Sequence, residues 1–320
     1  MAVYFLNLKT FGRSGGSSAV SAAAYRSGER ILDERTGRTY DHTDRQDVLH
    51  KEIVVPSHLV QADMGWAKDR TYLWNSAERA ETRKNARVAR EYLVALPVEL
   101  NSDQRLALAR DFSQELTDRY HFAVDLAVHA PRDYPGSDPR NFHAHLLATT
   151  REVTAEGLTR KTTFELNDAA RRKLGLPPAI HEFFHVRERW ASVTNESLRD
   201  ANIDARIDHR TLAAQGIDRE PYPYIPRAAF EMERHGYRSA QADRLRSEYR
   251  ARVEARERIA APTRAPAEES LGMSDEHRQK PQSLEEIRRQ ARENWLRVRE
   301  EMRERPRAVG DRSRDDDLSL

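Results

Sequence analysis

The sequence predicts an α+β fold: a central antiparallel sheet flanked by helices, with a charged helical extension towards the C-terminus. Three observations predict it. His121 to His129 alternates strictly, with Phe122, Val124, Leu126 and Val128 on one face and His121, Ala123, Asp125, Ala127 and His129 on the other. A second strand-like run, Phe142 to Arg151, follows after a loop of hairpin-compatible length carrying Gly136 and three prolines, so the two runs are expected to pair antiparallel. Asn101 to Tyr120 has a helical stripe of Leu106, Leu108, Ala109, Phe112 and Leu116, with Asn101 placed as N-cap.

The remaining elements follow in order. Val3 to Lys9 is rich in β-branched and aromatic residues and reads as the first strand, and FGRSGGSS after it as a flexible basic turn. A helix is expected from about Ser17 to Ser27, packed through Ala19, Ala22 and Ala23. Leu32 to His42 reads as a loop or short hairpin, and Val48 to Val55 as a strand stopped by Pro56. A long helix is expected over Asp69 to Glu91, and a short strand over Tyr92 to Leu96, ended by Pro97. Glu165 to Leu174 and His181 to Asn202 read as helices. From Ala228 the pattern is helical but poor in apolar residues, with Leu245 and Tyr249 four apart, and Ile287, Ala291 and Trp295 spaced alike beyond a Pro/Ala/Glu-rich break at Ala261 to Ser274. The tail from Arg305 has the composition of disorder. The expected organisation is therefore residues 1–221 as one folded domain, 222–304 as a charged helical extension and 305–320 as a tail.

Composition sets bounds. Charged residues make up 33% and hydrophobic ones 38% of the 320, too polar for one core over the whole length. The net charge is only +2, so nucleic-acid binding is not dictated globally; local clusters at Arg83, Lys84, Arg87 and Arg90 and at Arg171, Arg172 and Lys173 matter more. Without cysteine, disulfides and thiolate ligands are excluded, and any metal must be held by His and carboxylates. No signal peptide or membrane-spanning run is legible, so a cytoplasmic protein is expected.

His143 and His145 flank Ala144, and at strand spacing both point to one face. If the neighbouring strand adds His129, three imidazoles meet, enough to hold one metal with positions left for substrate. Asp125, on the same face as His129, is a candidate to orient an imidazole through its second nitrogen. The alternative is a set of histidines with purely structural roles. HExxH, Walker and dinucleotide-binding patterns are absent. Tyr25, in AAAYRSGER, would ordinarily be a packing residue; Arg13, Arg26 and Arg30 around it make it a candidate nucleophile. Glu78 and Glu81 are either part of a solvated, salt-laced helix or acid/base groups near the metal.

The chain resembles the MobA/MobL family of plasmid mobilisation relaxases, a family that takes in the amino-terminal part of the Ti-plasmid conjugal transfer protein TraA. The matching pieces occur in order: the opening MAVYFLNLKTFGRSGGSSAVSAAAYRSGERI, DERTGRTYDH, WNSAERAETRKNARVAREYLVALP, NFHAHLLATTREV, and RERWASVTNESLRDANIDARIDHRTLAAQGIDREP. They cover roughly Met1 to Pro221. The resemblance implies an HUH-type relaxase fold with the metal site on one sheet face. It implies Tyr25 as catalytic nucleophile, His143 and His145 as the paired histidines, with alanine where a bulky hydrophobic is usual, and His129 as third ligand. It implies a divalent metal, Mg or Mn, although three imidazoles would also suit Zn, Ni or Co. The implied reaction is a nick in single-stranded DNA at a transfer origin through a 5′-phosphotyrosyl bond, later rejoined. Implied partners are relaxosome accessory proteins and the type IV coupling protein, and the protein is expected to travel with the strand into the recipient cell. Arg13, Arg26, Lys84, Arg87 and Arg151 are candidate phosphate contacts from charge and position.

Rival readings are a rolling-circle replication initiator of the same chemistry, a non-catalytic DNA-binding relaxosome protein, and a metal-dependent hydrolase of small substrates. The first shares every site residue; the other two predict no covalent DNA product.

Overall fold

In the computed structural model, residues 2–132 and 137–260 are described. The chain divides into two units, the first ending at Tyr224 and the second starting at Ile225. The first unit runs β1 (Leu6–Gly12), α1 (Ala19–Ser27), β2 (Arg30–Asp33), β3 (Arg38–Asp41), β4 (Val48–Val54), α2 (Gly65–Lys68), α3 (Arg70–Arg79), β5 (Arg87–Ala95), α4 (Ser102–Tyr120), β6 (Val124–His129), β7 (His143–Thr149), β8 (Arg151–Thr154), β9 (Gly157–Lys161), α5 (Asp168–Lys173) and α6 (Ala179–Asp200). Five strands form one sheet in the order β1-β5-β7-β6-β4. Every neighbour pair in it is antiparallel. β2–β3 and β8–β9 are separate two-stranded hairpins. No helix among the described residues is long and apolar enough to cross a membrane.

The two faces of the sheet differ because the pleat sorts alternate residues. On one, Tyr92, Val94, Val124, Leu126, Val128, Ala144, Leu146 and Ala148 meet Leu108, Phe112 and Leu116 of α4 and Val186 and Trp190 of α6. Phe112 and Trp190 are fully buried with ring centroids 5.0 Å apart, which locks the two helices together. Asn101 caps α4 with a complete capping box to Gln104, as its sequence signature predicts. The other face carries the small residues Ala89, Ala123 and Ala127 beside Leu147, and is covered by α1 and α3 through Ala19, Val20, Ala23, Leu73 and Trp74. Small side chains there leave room for polar groups.

Several boundaries differ from the sequence reading. The first strand is Leu6–Gly12, shifted towards the supposed turn, because it takes its register from β5, Leu6 opposite Val94 and Phe11 opposite Ala89. The expected helix over Asp69 to Glu91 is replaced by α3, a non-helical stretch over residues 80–86 and the first half of β5. Asp69 is a cap, its side chain accepting from the Tyr72 N–H. α3 stops at Arg79, where the Arg13 guanidinium donates to the carbonyls of Glu78 and Glu81. This long-range partner satisfies carbonyls that helix continuation would otherwise occupy. Arg87–Ala95 then forms a nine-residue strand in the sheet interior. β8 and β9 were not expected as a hairpin. Tyr120 ends α4, and His121 leaves it in the left-handed region at φ 57° before the strand begins at Val124. The loop tip at residues 133–136, including Gly136, lies outside the described residues.

The second unit contains α7 (Arg227–Arg234) and α8 (Ala240–Ala260), joined by a double ion pair from Arg246 to Glu233 at 2.6 and 2.7 Å. Leu245 and Tyr249 lie on α8. The expected break at Ala261 to Ser274, the stretch with Ile287, Ala291 and Trp295, and the tail from Arg305 lie outside the described residues.

α1 ends at Gly28, with φ 62° and its N–H returned to the Ala24 carbonyl. A Cβ there would sit 3.2 Å from Val48 Cγ2 and 3.5 Å from the His42 carbonyl. Gly28→Ala is therefore expected to cost about 1–2 kcal/mol for the left-handed backbone alone. Thermal unfolding checks it: Tm should fall, and an unchanged Tm would show that the α1 cap does not need glycine.

Candidate metal centre and nucleophile

The register of β6 against β7 sets His129 directly opposite His143 and Ala127 opposite His145. Directly opposed residues have their Cβ atoms about 4.5–5.5 Å apart, so the three imidazoles are forced together. Their ring centroids are 5.3 Å (His129–His143), 4.7 Å (His129–His145) and 5.2 Å (His143–His145) apart. One ring nitrogen from each falls within 4.8 Å of the others.

Each ring has a partner that fixes its proton. His129 Nε2 lies 2.7 Å from the Arg26 carbonyl and His143 Nδ1 3.0 Å from the Asn141 carbonyl. A carbonyl oxygen only accepts, so those nitrogens carry hydrogen. His145 Nδ1 donates likewise to Glu91 Oε1 at 2.6 Å. The lone pairs remain on His143 Nε2, on His145 Nε2 and on His129 Nδ1, the last facing the Arg45 guanidinium at 3.3 Å. Three neutral imidazoles with preset tautomers fit a divalent ion. Burial keeps them neutral: it pushes His129 down to about 3, with the neighbouring His145 adding to the effect, and His145 down to about 4 against the opposing pull of Glu91. Burial also lowers His143. Glu91 itself is buried, which raises its carboxyl, but hydrogen bonds from His145 and Arg26 outweigh this and hold it below its ordinary value.

Tyr25 sits in the last turn of α1. Its hydroxyl accepts from Arg132 Nη2 at 2.6 Å, and its ring lies edge-on to His42 at 5.2 Å. The Arg45 guanidinium stacks 4.2 Å from the ring centroid and donates to the Tyr25 carbonyl at 2.5 Å. The same guanidinium lies 3.3 Å from His129 Nδ1, so one arginine spans tyrosine and histidine. Asp47 receives Arg45 at 2.8 and 2.5 Å and Arg132 at 3.0 Å. Burial raises Asp47, but these hydrogen bonds prevail and hold its carboxyl below the usual range.

The other sequence candidates are placed differently. Asp125 shares the face of His129 but accepts from Arg70 at 2.8 Å and from Trp74 Nε1 at 2.9 Å, not from a histidine. The carboxylate that orients an imidazole is Glu91. Glu78 is buried, accepting from Arg13 at 2.9 Å, Arg35 at 3.2 Å and the Ala19 N–H at the start of α1 at 2.8 Å. Glu81 lies beyond the end of α3 rather than on a shared helical face, and pairs with Arg151 and Lys161, each at 2.7 Å. Both glutamates serve ion pairs away from the imidazoles. Arg26 is buried, paired with Glu91 and stacked 4.9 Å from the Phe11 ring. Arg13 and Arg151 are held by Glu78 and Glu81. Lys84 is exposed, and Arg87, though paired with the buried Glu165 at 3.5 Å, keeps its side chain 57% exposed, so both can still be reached from solvent.

Glu91, Arg45, Asp47 and Arg132 are site residues that sequence reasoning missed. For Glu91 a signal existed: once β5 begins at Arg87, Glu91 falls on the face of Ala89 and Leu93, diagonal to His145. The other three lie in polar loops or turns, and only the tertiary structure gathers them.

The sequence profile of the MobA/MobL family matches residues 17–235. Mobilization protein MobL of Acidithiobacillus ferridurans is 36% identical over 279 residues, covering 81% of this chain and 70% of that protein. A probable conjugal transfer protein TraA of Sinorhizobium fredii is 32% identical over 277 residues, covering 81% of this chain but 24% of its own length. The structure from a study of the molecular basis of vancomycin resistance transfer in Staphylococcus aureus superposes with a TM-score of 0.52 at 28% identity, over 66% of this chain and all of that one.

The contact from Glu91 to His145 predicts that Glu91→Gln lowers the affinity for Mn²⁺ about 10–100-fold, the size of effect typical of a group that orients a ligand imidazole. Isothermal titration of the folded variant checks this. An affinity equal to wild type would mean that the carboxylate does not tune the imidazole.

Proposed function

Because the chain belongs to the MobA/MobL family, we propose that it is a relaxase: an enzyme that nicks one DNA strand at a plasmid transfer origin through a Tyr25 phosphodiester and later rejoins it. What carries this reading is the join between nucleophile and ligand set. The residue after Tyr25 gives its carbonyl to His129 at 2.7 Å, and Arg45 touches both the Tyr25 ring and His129. A tyrosine on a packing helix has no need of such company.

His129, His143 and His145 would hold the cation, with His129 Nδ1 and the Nε2 atoms of the other two as the lone pairs on offer. A bound divalent ion, Mg²⁺ or Mn²⁺, would polarise the nonbridging oxygens of the scissile phosphate. Tyr25 Oη attacks phosphorus. The new bond is Oη–P and the broken one is P–O3′. The phenol proton ends on the released 3′-hydroxyl by way of solvent. The 5′-phosphate stays on Tyr25, its bond energy conserved, so a 3′-hydroxyl can reverse the step without ATP. The strand must be single at the nick, because the phosphate has to reach a site set against a sheet face. Lys84 and Arg87 are the remaining candidates for phosphate contacts, which would give salt-sensitive affinity without sequence choice. Transfer with the strand, and contacts of the charged second unit with accessory proteins or a coupling protein of type IV secretion, complete the proposal.

The test is incubation of the protein with labelled single-stranded DNA tiled across transfer origins, with Mg²⁺ or Mn²⁺, resolved on denaturing gels. Wild type should form a covalent DNA adduct, and Tyr25→Phe and His143→Ala should form none. Origin-selective binding with no adduct under any metal would instead make the protein a binding component. Adduct formation by Tyr25→Phe would remove Tyr25 from the role.

A further inference from the structure

We propose that Arg132 is a catalytic residue of this reaction, acting on the tyrosine oxygen itself; the assignment rests on the relaxase reading above. Arg132 Nη2 lies 2.6 Å from Tyr25 Oη. A guanidinium has no acceptor. The phenol oxygen must therefore accept from it, which turns the phenol's own hydrogen away from Arg132 and leaves it to be given up. As that proton departs, charge builds on an oxygen that already faces a fixed cation.

The arginine is itself held. Arg132 Nε donates to Asp47 Oδ2 at 3.0 Å, and Asp47 is clamped from its other side by Arg45 at 2.8 and 2.5 Å. The Arg45 side chain is only 9% exposed, so this anchor is built into the protein, whereas the Arg132 side chain that it positions is 43% exposed. The paired guanidiniums flank one carboxylate and leave a net positive charge beside Tyr25. Preorganised donors aimed where charge develops act in both directions of a reversible step. In the forward step Arg132 supports the oxygen as it loses its proton and forms the Oη–P bond. In rejoining, the P–O3′ bond re-forms, the Oη–P bond breaks, and Arg132 receives the departing phenolate, which then regains a proton from solvent.

The experiment compares wild type, Arg132→Ala and Arg132→Lys on origin single-stranded DNA with Mn²⁺. It measures DNA affinity, the single-turnover rate of adduct formation at saturating DNA, and the rate at which gel-purified adduct is rejoined by a 3′-hydroxyl strand. Loss of one such donor is expected to slow both rates about 10²–10³-fold. DNA affinity should change by less than about 3-fold, since the donor acts on Tyr25. Lys should retain part of the rate, and added guanidinium ion at concentrations that leave wild type intact should restore Arg132→Ala but not Tyr25→Phe. Near-wild-type rates in Arg132→Ala, or a loss confined to DNA affinity, would overturn the assignment and make Arg132 a bystander or a phosphate contact. Rescue failing while both rates fall with a lowered Tm would also overturn it, as a structural effect. If wild type forms no adduct on any origin DNA, the relaxase reading fails, and this assignment with it; an adduct formed equally fast by Arg132→Ala sinks the assignment alone.

Discussion

The site depends on how the C-terminal turn of α1 is satisfied. A helix leaves its last carbonyls without intrahelical partners, and a buried one left unpaired is costly. Here the carbonyl of Tyr25 takes Arg45, that of Arg26 takes His129, and that of Ser27 takes Lys51 at 3.0 Å. Three consecutive carbonyls are thus answered by side chains from β4, β6 and the segment leading into β4. The cations among them also suit the negative end of the helix dipole. One backbone requirement fixes the position of Tyr25 over the sheet and the tautomer of His129 together. Gly28 matters for the same reason, since the chain must turn away at once without displacing Val48.

Below that turn, charge is balanced residue by residue. Arg26 and Glu91 are both buried, and each would be expensive alone. Together with His145 they form a chain in which one carboxylate serves two donors. A second chain, Lys51–Glu29–Arg70–Asp125–Trp74, runs alongside at 2.7 to 2.9 Å per link. This explains why Asp125 does not reach a histidine although it shares a face with one: Arg70 and Trp74 occupy its oxygens. The small residues on this face are the other half of the same arrangement. Ala89, Ala123 and Ala127 leave volume that the ion pairs and imidazoles fill.

Local rules made part of this legible. The alternation of His121 to His129 assigns Val124, Leu126 and Val128 to one core cluster and Ala123 to the other, and period two alone then sends His129 the way of His143 and His145. The Asn101 cap and the α4 stripe are likewise local signals. The failures are all tertiary. Helical spacing of Leu73 and Ala77 correctly begins α3 but carries no information about Arg13, which lies 65 and 68 residues before the carbonyls of Glu78 and Glu81 that it binds and is decisive for where the helix stops. Missing that stop hid Glu91 inside an imagined helix. Charge and position offered Arg26 as a phosphate contact, whereas burial assigns it to Glu91. Asp47 and Arg132 stand in polar turn sequence with no periodicity to mark them, and they acquire meaning only through Tyr25.

The small residue between the paired histidines bears on packing rather than on chemistry. In a pleated strand the middle of the triplet points away from its neighbours. Ala144 accordingly lies in the apolar cluster, opposite Val94 on one side and Val128 on the other, while His143 and His145 lie on the polar face. The volume that a larger residue would take is governed by what α4 and α6 bring to that cluster, notably Phe112 and Trp190. The sheet thus insulates the two demands. Core volume can be redistributed on one face while the register that opposes His129 to His143, and the backbone carbonyl that sets the His129 tautomer, stay unchanged on the other. An alanine at this position is therefore compatible with the three imidazoles meeting on the other face, and what holds them together lies in β-strand register and in the α1 terminus.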